Sequence, residues 1–578
     1  MFSSKILPRT LLGLGASVGL LLAACGNTTT PTVSSSSTPT TLVIAKSTAA
    51  QPEFTWWPPI VSASACDGLT GGGATGANMY MPLLSLDSSG NIQYSHSIAS
   101  SIAISRNDQT YTIQMNPKWH WSNGTPVTAQ DVVFDWQLIH AATSPGSSLP
   151  YCFTGTGGVP KDWASVTATG THTVVVKTTQ PVNPVWFEHN GLSQLVPIPK
   201  AVWNKYPGNT LKTLHWIVSI ANSPTNPVYK VVDGPYDVSA VHPGQDWEYT
   251  ANPHYDGSTK PTIKHLIYEN EASTSATFAG LKTGALDMAT LPFSYLKPAE
   301  KLRGYHIVAN PVFAFAYLAM NFRPNAEGIG GLFNKLYIRQ ALQYGVDQNG
   351  IIKTLYHGYA SPTYGPVPRK PHNAFYDYSY QNPYSYDPTK GKQLLESHGW
   401  HEKNGVMTRN GQTLSFTVSY ASGSATIAHM LEDIQQAWAA EGIRVQLQSE
   451  SPTSLGGLVS SPSEASKWAI GGWWNWSYLP DYYPSGGALF MPGAGVNYGN
   501  YTDPTMEQLI RLTYQGGTSA QIRKRFQSYQ RYAAQQLPVL YVPTPDKIYV
   551  VANTVHGVAK NFNPILTFTP VNHVTFGQ

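Results

Sequence analysis

The chain has 578 residues, too many for a single hydrophobic core, so two or three domains are expected. Charged residues make up 12% of it, about half the usual share, and 36 basic residues nearly balance 32 acidic ones. Because these charges form no basic block, the composition argues against a nucleic acid as partner. The small number of carboxylates leaves few groups to neutralise in acid, which is compatible with an acidic exterior.

The first 24 residues have the pattern of a bacterial export signal. Lys5 and Arg9 precede an apolar segment, residues 11–22, of signal-peptide length. The tetrapeptide Leu-Ala-Ala-Cys that ends at Cys25 resembles a lipobox, in which this cysteine carries the lipid. Residues 25–40 are rich in Ser, Thr and Pro and predict a flexible tether. We therefore predict an extracytoplasmic protein, lipid-anchored to the outer face of the cell membrane; ordinary signal cleavage beside an incidental cysteine is the alternative.

Two further cysteines, Cys66 and Cys152, belong to the exported part of the chain. An oxidising exterior allows them to pair, which predicts one disulfide. The sequence contains no Cys-x-x-Cys pair and no His-Glu-x-x-His motif, so we expect no metal site. The glycines of residues 71–76 are not followed by Gly-Lys-Ser/Thr, so we expect no nucleotide and no other cofactor.

The first predicted element of the folded body is a short buried strand at residues 41–46. Further on, residues 111–115 alternate between apolar and polar side chains in strand fashion. Asn123 and Gly124 predict a turn, and Thr128 with Asp131 predicts a capping box at the start of a helix. This turn and capped helix are structural rather than catalytic features.

The second half of the chain predicts alternating helices and strands. Asp387 is a predicted N-cap with a proline after it, and Gly399 a predicted C-terminal glycine, so a helix is expected at residues 390–398. Apolar residues at helical spacing between 427 and 438 predict another helix, which Gly442 ends and an alternating strand follows. Helix followed by strand is the unit of an α/β fold.

Residues 121–132 resemble the signature region of the family 5 extracytoplasmic solute-binding proteins, the receptors of peptide, nickel and related ABC importers. They read Trp-Ser-Asn-Gly-Thr-Pro-Val-Thr-Ala-Gln-Asp-Val, with Asn123 where the family usually has an aspartate. Further segments resemble the family in the same order along nearly all of the mature chain. These segments are residues 234–236, 252–257, 320–322, 338–347 and 386–388.

The resemblance implies an α/β, two-lobed periplasmic-binding-protein-like fold of type II, cluster C, with an extra subdomain in lobe one. Lobe one is then assembled from residues 41–78, 197–305 and 541–578, the appended subdomain is residues 79–196, and lobe two is residues 306–540. Such a receptor encloses its ligand by hinge closure and delivers it to a membrane permease. We expect a monomer without enzymatic activity.

Residues 472–483, which we call the aromatic stretch, hold three tryptophans and three tyrosines. Trp473, Trp474 and Trp476 cannot all point the same way in a regular strand or helix, so some of these rings are expected to reach a cleft, with core packing as the alternative. The resemblance implies ligand contacts here, after the first strand and on the strand past the hinge. The predicted ligand-binding residues are Trp56, Trp57, Phe313, Phe315, Tyr317, Trp473, Trp474, Asn475, Trp476, Tyr478 and Asp481.

The aromatic stretch departs from the pattern of peptide-binding relatives, which place an aspartate four residues before the proline to pair with the peptide's α-amino group. Trp476 occupies that position here, and Asp481 is the only carboxylate of the stretch. Ring faces alone attract an ammonium by about 0.5–2 kcal/mol, less than a desolvated ion pair supplies. A peptide ranks first by family, an oligosaccharide stacked on tryptophan second, and a nickel complex or opine third.

A secreted glycoside hydrolase is the alternative from another functional class. Glycoside hydrolysis needs two carboxylates that face one bond. Glu269 and Glu271 form the only close glutamate pair in the middle of the chain, and on a strand they are expected at a solvated edge rather than in a cleft. No Gly-x-Ser-x-Gly motif appears either. We therefore expect a receptor; a surface adhesin or sensor of the same fold is a third class.

Overall fold

The computed structural model describes residues 40–47 and 78–577, except residues 146, 148, 150, 222, 224 and 243. Among these residues, no helix combines the length and the apolar character needed to cross a bilayer. The strands are β1 (Thr41–Ser47), β2 (Ala99–Ile104), β3 (Thr110–Met115), β4 (Trp163–Gly170), β5 (Thr173–Thr178), β6 (Tyr236–His242), β7 (Asp246–Ala251), β8 (His265–Glu271), β9 (Met288–Ala289), β10 (Tyr305–Asn310), β11 (Ala314–Met320), β12 (Ala360–Ser361), β13 (His401–Lys403), β14 (Val406–Arg409), β15 (Gln412–Thr413), β16 (Ser415–Ala421), β17 (Arg444–Glu450), β18 (Ile470–Ser477), β19 (Leu540–Val542), β20 (Thr544–Pro545), β21 (Lys547–Ala552), β22 (Val555–His556) and β23 (Thr575–Phe576). The α-helices are α1 (Ala129–Ala142), α2 (Pro184–Trp186), α3 (Lys200–Trp203), α4 (Thr210–Ser219), α5 (Thr274–Thr283), α6 (Leu296–Ala299), α7 (Leu336–Tyr344), α8 (Gln348–Thr354), α9 (Pro388–Ser397), α10 (Ala425–Ala440), α11 (Pro452–Ser460), α12 (Gly487–Phe490), α13 (Pro504–Thr513) and α14 (Ser519–Gln536).

Strand β1 lies inside a seven-stranded sheet of order β10-β21-β9-β1-β8-β7-β6. It runs parallel to β8 and β9, and β21 runs antiparallel to β9. Residues 42–45 are apolar on both faces, as expected for a strand that is covered on both sides. Leu42 and Ile44 pack into the largest hydrophobic core, whereas Ala45 packs with Leu281 of α5 on the opposite face. The predicted strand at residues 41–46 is confirmed.

A four-stranded antiparallel sheet of order β2-β3-β5-β4 follows, with helix α1 packed against β4. The predicted capping interaction of α1 is present, because the Thr128 backbone N–H donates to the Asp131 carboxylate at 2.8 Å. The same carboxylate accepts the backbone N–H of Lys200 at 2.8 Å. The cap of α1 therefore also fixes the start of α3.

A five-stranded sheet of order β17-β16-β18-β11-β19 organises the second half of the chain. Helix α10 joins the parallel strands β16 and β17, which confirms the predicted helix and the strand after Gly442. Strand β18 lies between β16, to which it is parallel, and β11, to which it is antiparallel. Helix α9 begins at the predicted cap, where Asp387 accepts the Lys390 N–H at 2.9 Å, and Gly399 follows it with φ +82°.

The chain passes twice between the seven-stranded and the five-stranded sheet. Strand β10 belongs to the first and β11 to the second, so residues 311–313 form one passage. Strand β19 belongs to the second and β21 to the first, so residues 543–546 form the other. Two α/β bodies joined by two crossing segments fit the expected two-lobed architecture. The predicted limits of the lobes and of the appended subdomain stay a prediction.

Candidate functional site

Strand β18 carries the three tryptophans of the aromatic stretch and contains a bulge at their start. Gly472 has φ +69°, and a Cβ there would lie 2.6 Å from the indole nitrogen of Trp474. The pairing with β11 shifts register at this point, so that Gly472 and Trp473 together face Leu318. A bulge of this kind re-aims the side chains beside it, and the left-handed backbone conformation requires glycine. The bulge explains how neighbouring tryptophans take different environments on one strand.

The indole ring of Trp474 forms its hydrogen bond and its packing contacts within the protein. Its indole N–H donates to the carbonyl of Gly471 at 2.9 Å, and its ring lies 5.0 Å from that of Tyr498. It also packs against a small cluster that contains Val459 and Trp468. The interactions found for Trp474 are those of a structural residue, and its role as a ligand contact stays a prediction.

Trp473 and Trp476 have unused hydrogen-bonding capacity. Both are half-buried, and in the described part of the chain the indole N–H of each is buried without an acceptor. A buried donor without an acceptor costs about 1–3 kcal/mol. Asn475, which lies between them, is exposed. A ligand that offers an acceptor oxygen to either of these indoles would therefore gain more than it would at Trp474.

Asp481 lies just past β18 and is buried in a contact with Asn190. One carboxylate oxygen accepts from the Asn190 amide, and the other has no hydrogen-bond partner among the described residues. Burial raises the pKa of Asp481 to about 7, and the Asn190 hydrogen bond opposes this shift. Asn190 also pairs with the backbone of Tyr483, from whose N–H it accepts at 2.7 Å and to whose carbonyl it donates at 2.9 Å.

Asn190 belongs to a π-helical turn, Phe187–Gly191, within the predicted appended subdomain. A second contact from the same region reaches helix α13, where Asn183 donates to the carbonyl of Thr513 at 2.8 Å. The rings of Trp186 and Tyr514 stack beside it with centroids 4.5 Å apart. The aromatic stretch is thus held on one side by its own sheet and on the other by the segment around Asn190.

Comparison with known proteins places this arrangement in a family. The family model of the bacterial extracellular solute-binding proteins, family 5 Middle, matches residues 93–488, more than half of the chain. This chain belongs to the family 5 solute-binding proteins. The oligopeptide-binding protein AppA of Bacillus subtilis (strain 168) is 22% identical over 485 residues, which are 83% of each chain. The oligopeptide-binding protein OppA of Lactococcus lactis subsp. cremoris (strain SK11) is 23% identical over 431 residues, 70% of this chain and 69% of that protein.

Solved structures share the fold of this family 5 protein over nearly its whole length. The structure of AppA from Bacillus subtilis in complex with a nonapeptide has a TM-score of 0.71 at 19% identity and covers 94% of this chain and 99% of its own. The periplasmic EDTA-binding protein EppA has a TM-score of 0.76 at 14% identity and covers 94% of this chain and 97% of its own. The expected two-lobed periplasmic-binding-protein-like fold is confirmed, and the protein is an extracellular solute-binding protein.

The three predicted ligand contacts past the hinge lie in the core of this family 5 protein. Phe313 and Phe315 are fully buried, and Tyr317 is 3% exposed. The rings of Phe315 and Tyr317 stack at 5.3 Å, and Phe313 lies 5.4 Å from Tyr478. Tyr478 is itself buried and donates its hydroxyl to the carbonyl of Pro366. Contacts of these four rings with a ligand stay a prediction.

Several predicted residues lie outside the described part of the chain. These are Trp56 and Trp57, the lipidation site Cys25, and Cys66. Cys152 is described and is disulfide-bonded. Its pairing with Cys66 stays a prediction, as does the ligand contact of the two tryptophans.

Two groups of carboxylates outside the aromatic stretch bear on the expected absence of a metal site and of a hydrolase. Within the described residues, His242, Asp246 and Glu248 converge as the only group of three metal-ligand types, and they lie on the exposed hairpin of β6 and β7. Glu269 and Glu271 lie on β8, which is flanked by β1 and β7, so the expectation that they occupy a sheet edge is wrong. Both are half-buried at the carboxyl end of that strand.

The contact between Asn190 and Asp481 was missed by sequence reasoning. Asn190 stands in Phe-Glu-His-Asn-Gly, which has no spacing or motif that singles it out. Its partners are 291 and 293 residues away in the chain. Only the docking of the subdomain on the second half of the molecule brings them together, and no local pattern in the sequence encodes that docking.

Proposed function

We propose that this protein is the substrate-binding lipoprotein of an ABC importer, which captures a peptide-like solute between its two lobes and delivers it to a membrane permease. In this proposal Cys25 carries the lipid, and the lobes are those given by residues 41–78, 197–305 and 541–578 on one side and 306–540 on the other. The observation that supports the peptide class is the similarity to AppA and OppA, which are named oligopeptide-binding proteins, and the indole N–H groups of Trp473 and Trp476 are the candidate donors to the ligand. Backbone carbonyls of a peptide are acceptors of the kind that these donors lack.

A screen for thermal stabilisation tests the ligand class. A ligand that binds only the folded state raises its stability, by about 2.7 kcal/mol at a hundredfold excess over Kd. Pools of short peptides should raise Tm, whereas maltose-type and xylose-type oligosaccharides at equal concentration should not. Trp476→Phe removes the indole donor and keeps an aromatic ring, so it should weaken peptide binding, while Trp474→Phe should not. Stabilisation by oligosaccharides alone would contradict the peptide assignment.

An oligosaccharide is the second candidate, and one observation favours it. Trp473 is half-buried and lies two residues before the exposed Asn475 on the same strand, and a sugar face stacks on such a ring while an amide pairs with ring hydroxyls. Asn475→Ala separates the two candidates. It should weaken a sugar that uses the amide and leave a peptide bound through the indole donors unchanged.

The lipid anchor is tested by Cys25→Ala. A protein held only by that lipid should pass from the membrane fraction into the medium. Thr28→Ala is the matched control, since it changes the neighbouring tether and leaves Cys25 in place. Membrane association that survives Cys25→Ala would contradict the anchor and leave the receptor function untouched.

A further inference from the structure

The side chain of Asn190, in the predicted appended subdomain, is hydrogen-bonded to the segment that follows β18. An asparagine amide offers two N–H donors and a carbonyl acceptor. The Asn190 amide donates to the Asp481 carboxylate and, at 2.9 Å, to the carbonyl of Tyr483. Its carbonyl accepts the backbone N–H of Tyr483 at 2.7 Å. The side chain is fully buried and therefore pairs with Tyr483 in both directions, as one backbone segment pairs with another.

The backbone of Asn190, in contrast, is fixed within the subdomain. Its carbonyl accepts from the Gln194 amide, and Gln194 in turn accepts the Tyr151 hydroxyl at 2.8 Å. Gly157 packs so closely that a Cβ there would lie 2.1 Å from the same carbonyl oxygen. The π-helical turn that contains Asn190 is thus a firm support, and π-turns of this kind are frequent at functional sites. Only the side chain of Asn190 extends from it to the second half of the molecule.

A second buried asparagine makes a similar contact seven residues earlier. Thr513 is the last residue of α13, so its carbonyl has no partner inside that helix. The Asn183 amide donates to this carbonyl at 2.8 Å, and the Asn183 backbone N–H donates to the carbonyl of Tyr514 at 2.7 Å. The buried ring of Trp186 stacks on Tyr514 with centroids 4.5 Å apart. We call Asn183, Trp186 and Asn190 the latch.

Other contacts attach the subdomain to the body that contains the seven-stranded sheet. The backbone N–H of Met81 donates to the carboxylate of Asp233, just before β6, at 3.0 Å. The backbone N–H of His120 donates to the carboxylate of Asp256, between β7 and β8, at 2.9 Å. A movement of this body is therefore expected to carry the subdomain with it.

The latch lies outside both covalent connections between the two bodies. Those connections are residues 311–313 and 543–546, whereas the latch joins residues 183–190 to residues 481–514 without a covalent bond. A rotation about the two passages has to separate these segments unless the subdomain stays with the second body. The latch contacts thus belong to the closed arrangement of a molecule that opens at its hinge.

We propose that the latch forms when the two bodies close, and that Asn190 is the positioning residue that holds the aromatic stretch against the ligand. The inference rests on the proposed receptor function and names the subdomain residues that retain the closed form. Asp481 and Tyr483 follow Trp476 within seven residues, so their attachment to Asn190 restrains the end of β18. In an open form, water satisfies the same amide, so closure exchanges one set of hydrogen bonds for another. The net gain is small, as reversible capture requires.

The first test measures closure without a ligand. Spin labels at Lys161→Cys and Lys524→Cys, an exposed position in the subdomain and one in α14, report the distance between them by pulsed electron paramagnetic resonance. Protein without the added cysteines identifies any signal from the native ones. We expect two distances, and Asn190→Ala should lower the fraction at the shorter distance about threefold. Asn107→Ala, at an exposed asparagine of the same subdomain, should leave the distribution unchanged.

A distance distribution that Asn190→Ala does not alter would overturn the latch, because the subdomain would then be docked independently of this side chain.

The second test follows a peptide taken from a pool that stabilises the protein. Asn190→Ala should raise its dissociation rate constant about tenfold and leave its association rate constant nearly unchanged, because the latch forms after the ligand has entered. Slower association with unchanged dissociation would contradict the proposal. If no peptide binds while Asn190→Ala still shifts the label distances, the latch stands and the proposed peptide function fails. If peptides bind and Asn190→Ala changes neither rates nor distances, the function stands and the latch fails.

An exchange of the two partners tests the hydrogen bond itself. Asn190→Asp sets a second carboxyl group against Asp481 and removes both N–H donors, so at about pH 8 it should open the protein as Asn190→Ala does. Adding Asp481→Asn returns an amide donor to the pair from the other side and should restore about half of the lost closed fraction. Both substitutions keep the size of the side chain, so they give a readout even if Asn190→Ala folds poorly. A double variant as open as Asn190→Asp alone would contradict the proposal.

Discussion

Strands β11 and β18 are hydrogen-bonded neighbours in one sheet, yet their side chains differ in burial and in the hydrogen-bond donors that remain without acceptors. All seven residues of β11 are buried, and its aromatic rings pack on one another. In β18 only the first three residues are buried, and the tryptophans that follow are half-buried, two of them with indole donors that lack acceptors. Aromatic density alone therefore does not mark a binding surface; the tryptophans of β18 differ from the rings of β11 in being only half-buried and in having two indole donors without acceptors.

The difference has a local cause in the bulge at Gly472. Strand β11 keeps a regular register along the residues that pair with β19, and each of its rings meets another ring. Strand β18 changes register after Gly471, and its tryptophans reach separate environments. One inserted residue thus accompanies the change from a buried core strand to a half-buried candidate ligand surface.

The largest expected effect contrasts Phe315 with Trp476, which are paired in register. Phe315→Ala empties a fully buried position and should lower the free energy of unfolding by about 3–5 kcal/mol. Trp476→Ala removes a half-buried ring and should cost less stability, but it should weaken ligand binding by about 1 kcal/mol, roughly fivefold. Urea unfolding and calorimetric titration measure the two quantities. A Phe315→Ala variant that is as stable as the wild type would remove the distinction between core and surface.

Local physical chemistry allowed much of the fold to be predicted. The cap at Thr128 and Asp131 and the cap at Asp387 depend on side chains and backbone groups within a few residues, and both are present. Alternation correctly predicted a strand at residues 111–115. Caps and alternation can be recognised in sequence because their causes lie in the sequence next to them.

The features that define the site depend on distant parts of the chain. The bulge at Gly472 is a property of the pairing between β18 and β11, and neither strand's sequence alone determines the register of that pairing. Asn190 reaches Asp481 only after the subdomain docks. Tertiary placement, rather than residue type, made these functional candidates invisible in the sequence.

Asp481, the buried carboxyl group that follows β18, should make the stability of the protein depend on pH. Its pKa is raised from 3.8 to about 7 by burial, so the folded state holds a proton that the unfolded state releases within this range. The protonated Asp481 carboxyl contributes fully to stability below the unfolded pKa of 3.8. Between that pKa and about pH 7, the free energy of unfolding falls by about 1.4 kcal/mol per pH unit, and above about pH 7 the contribution is lost. Asp481→Asn keeps an acceptor for Asn190 and should remove this slope. Urea midpoints at several pH values measure it, and equal slopes in both proteins would contradict the assignment.

The smallest effect compares the hydrogen bonds of two tryptophans on the same strand. Trp474→Phe removes the indole that donates to Gly471, so it should cost about 0.5–1.5 kcal/mol. Trp476→Phe removes a donor that has no acceptor, so the ligand-free protein should lose less stability than Trp474→Phe does, or gain some. Because both substitutions exchange the same ring types, their difference isolates the hydrogen bond from the change in ring size. If Trp476→Phe costs as much as Trp474→Phe, the Trp476 indole has an acceptor in solution, and its unsatisfied donor no longer marks a ligand surface.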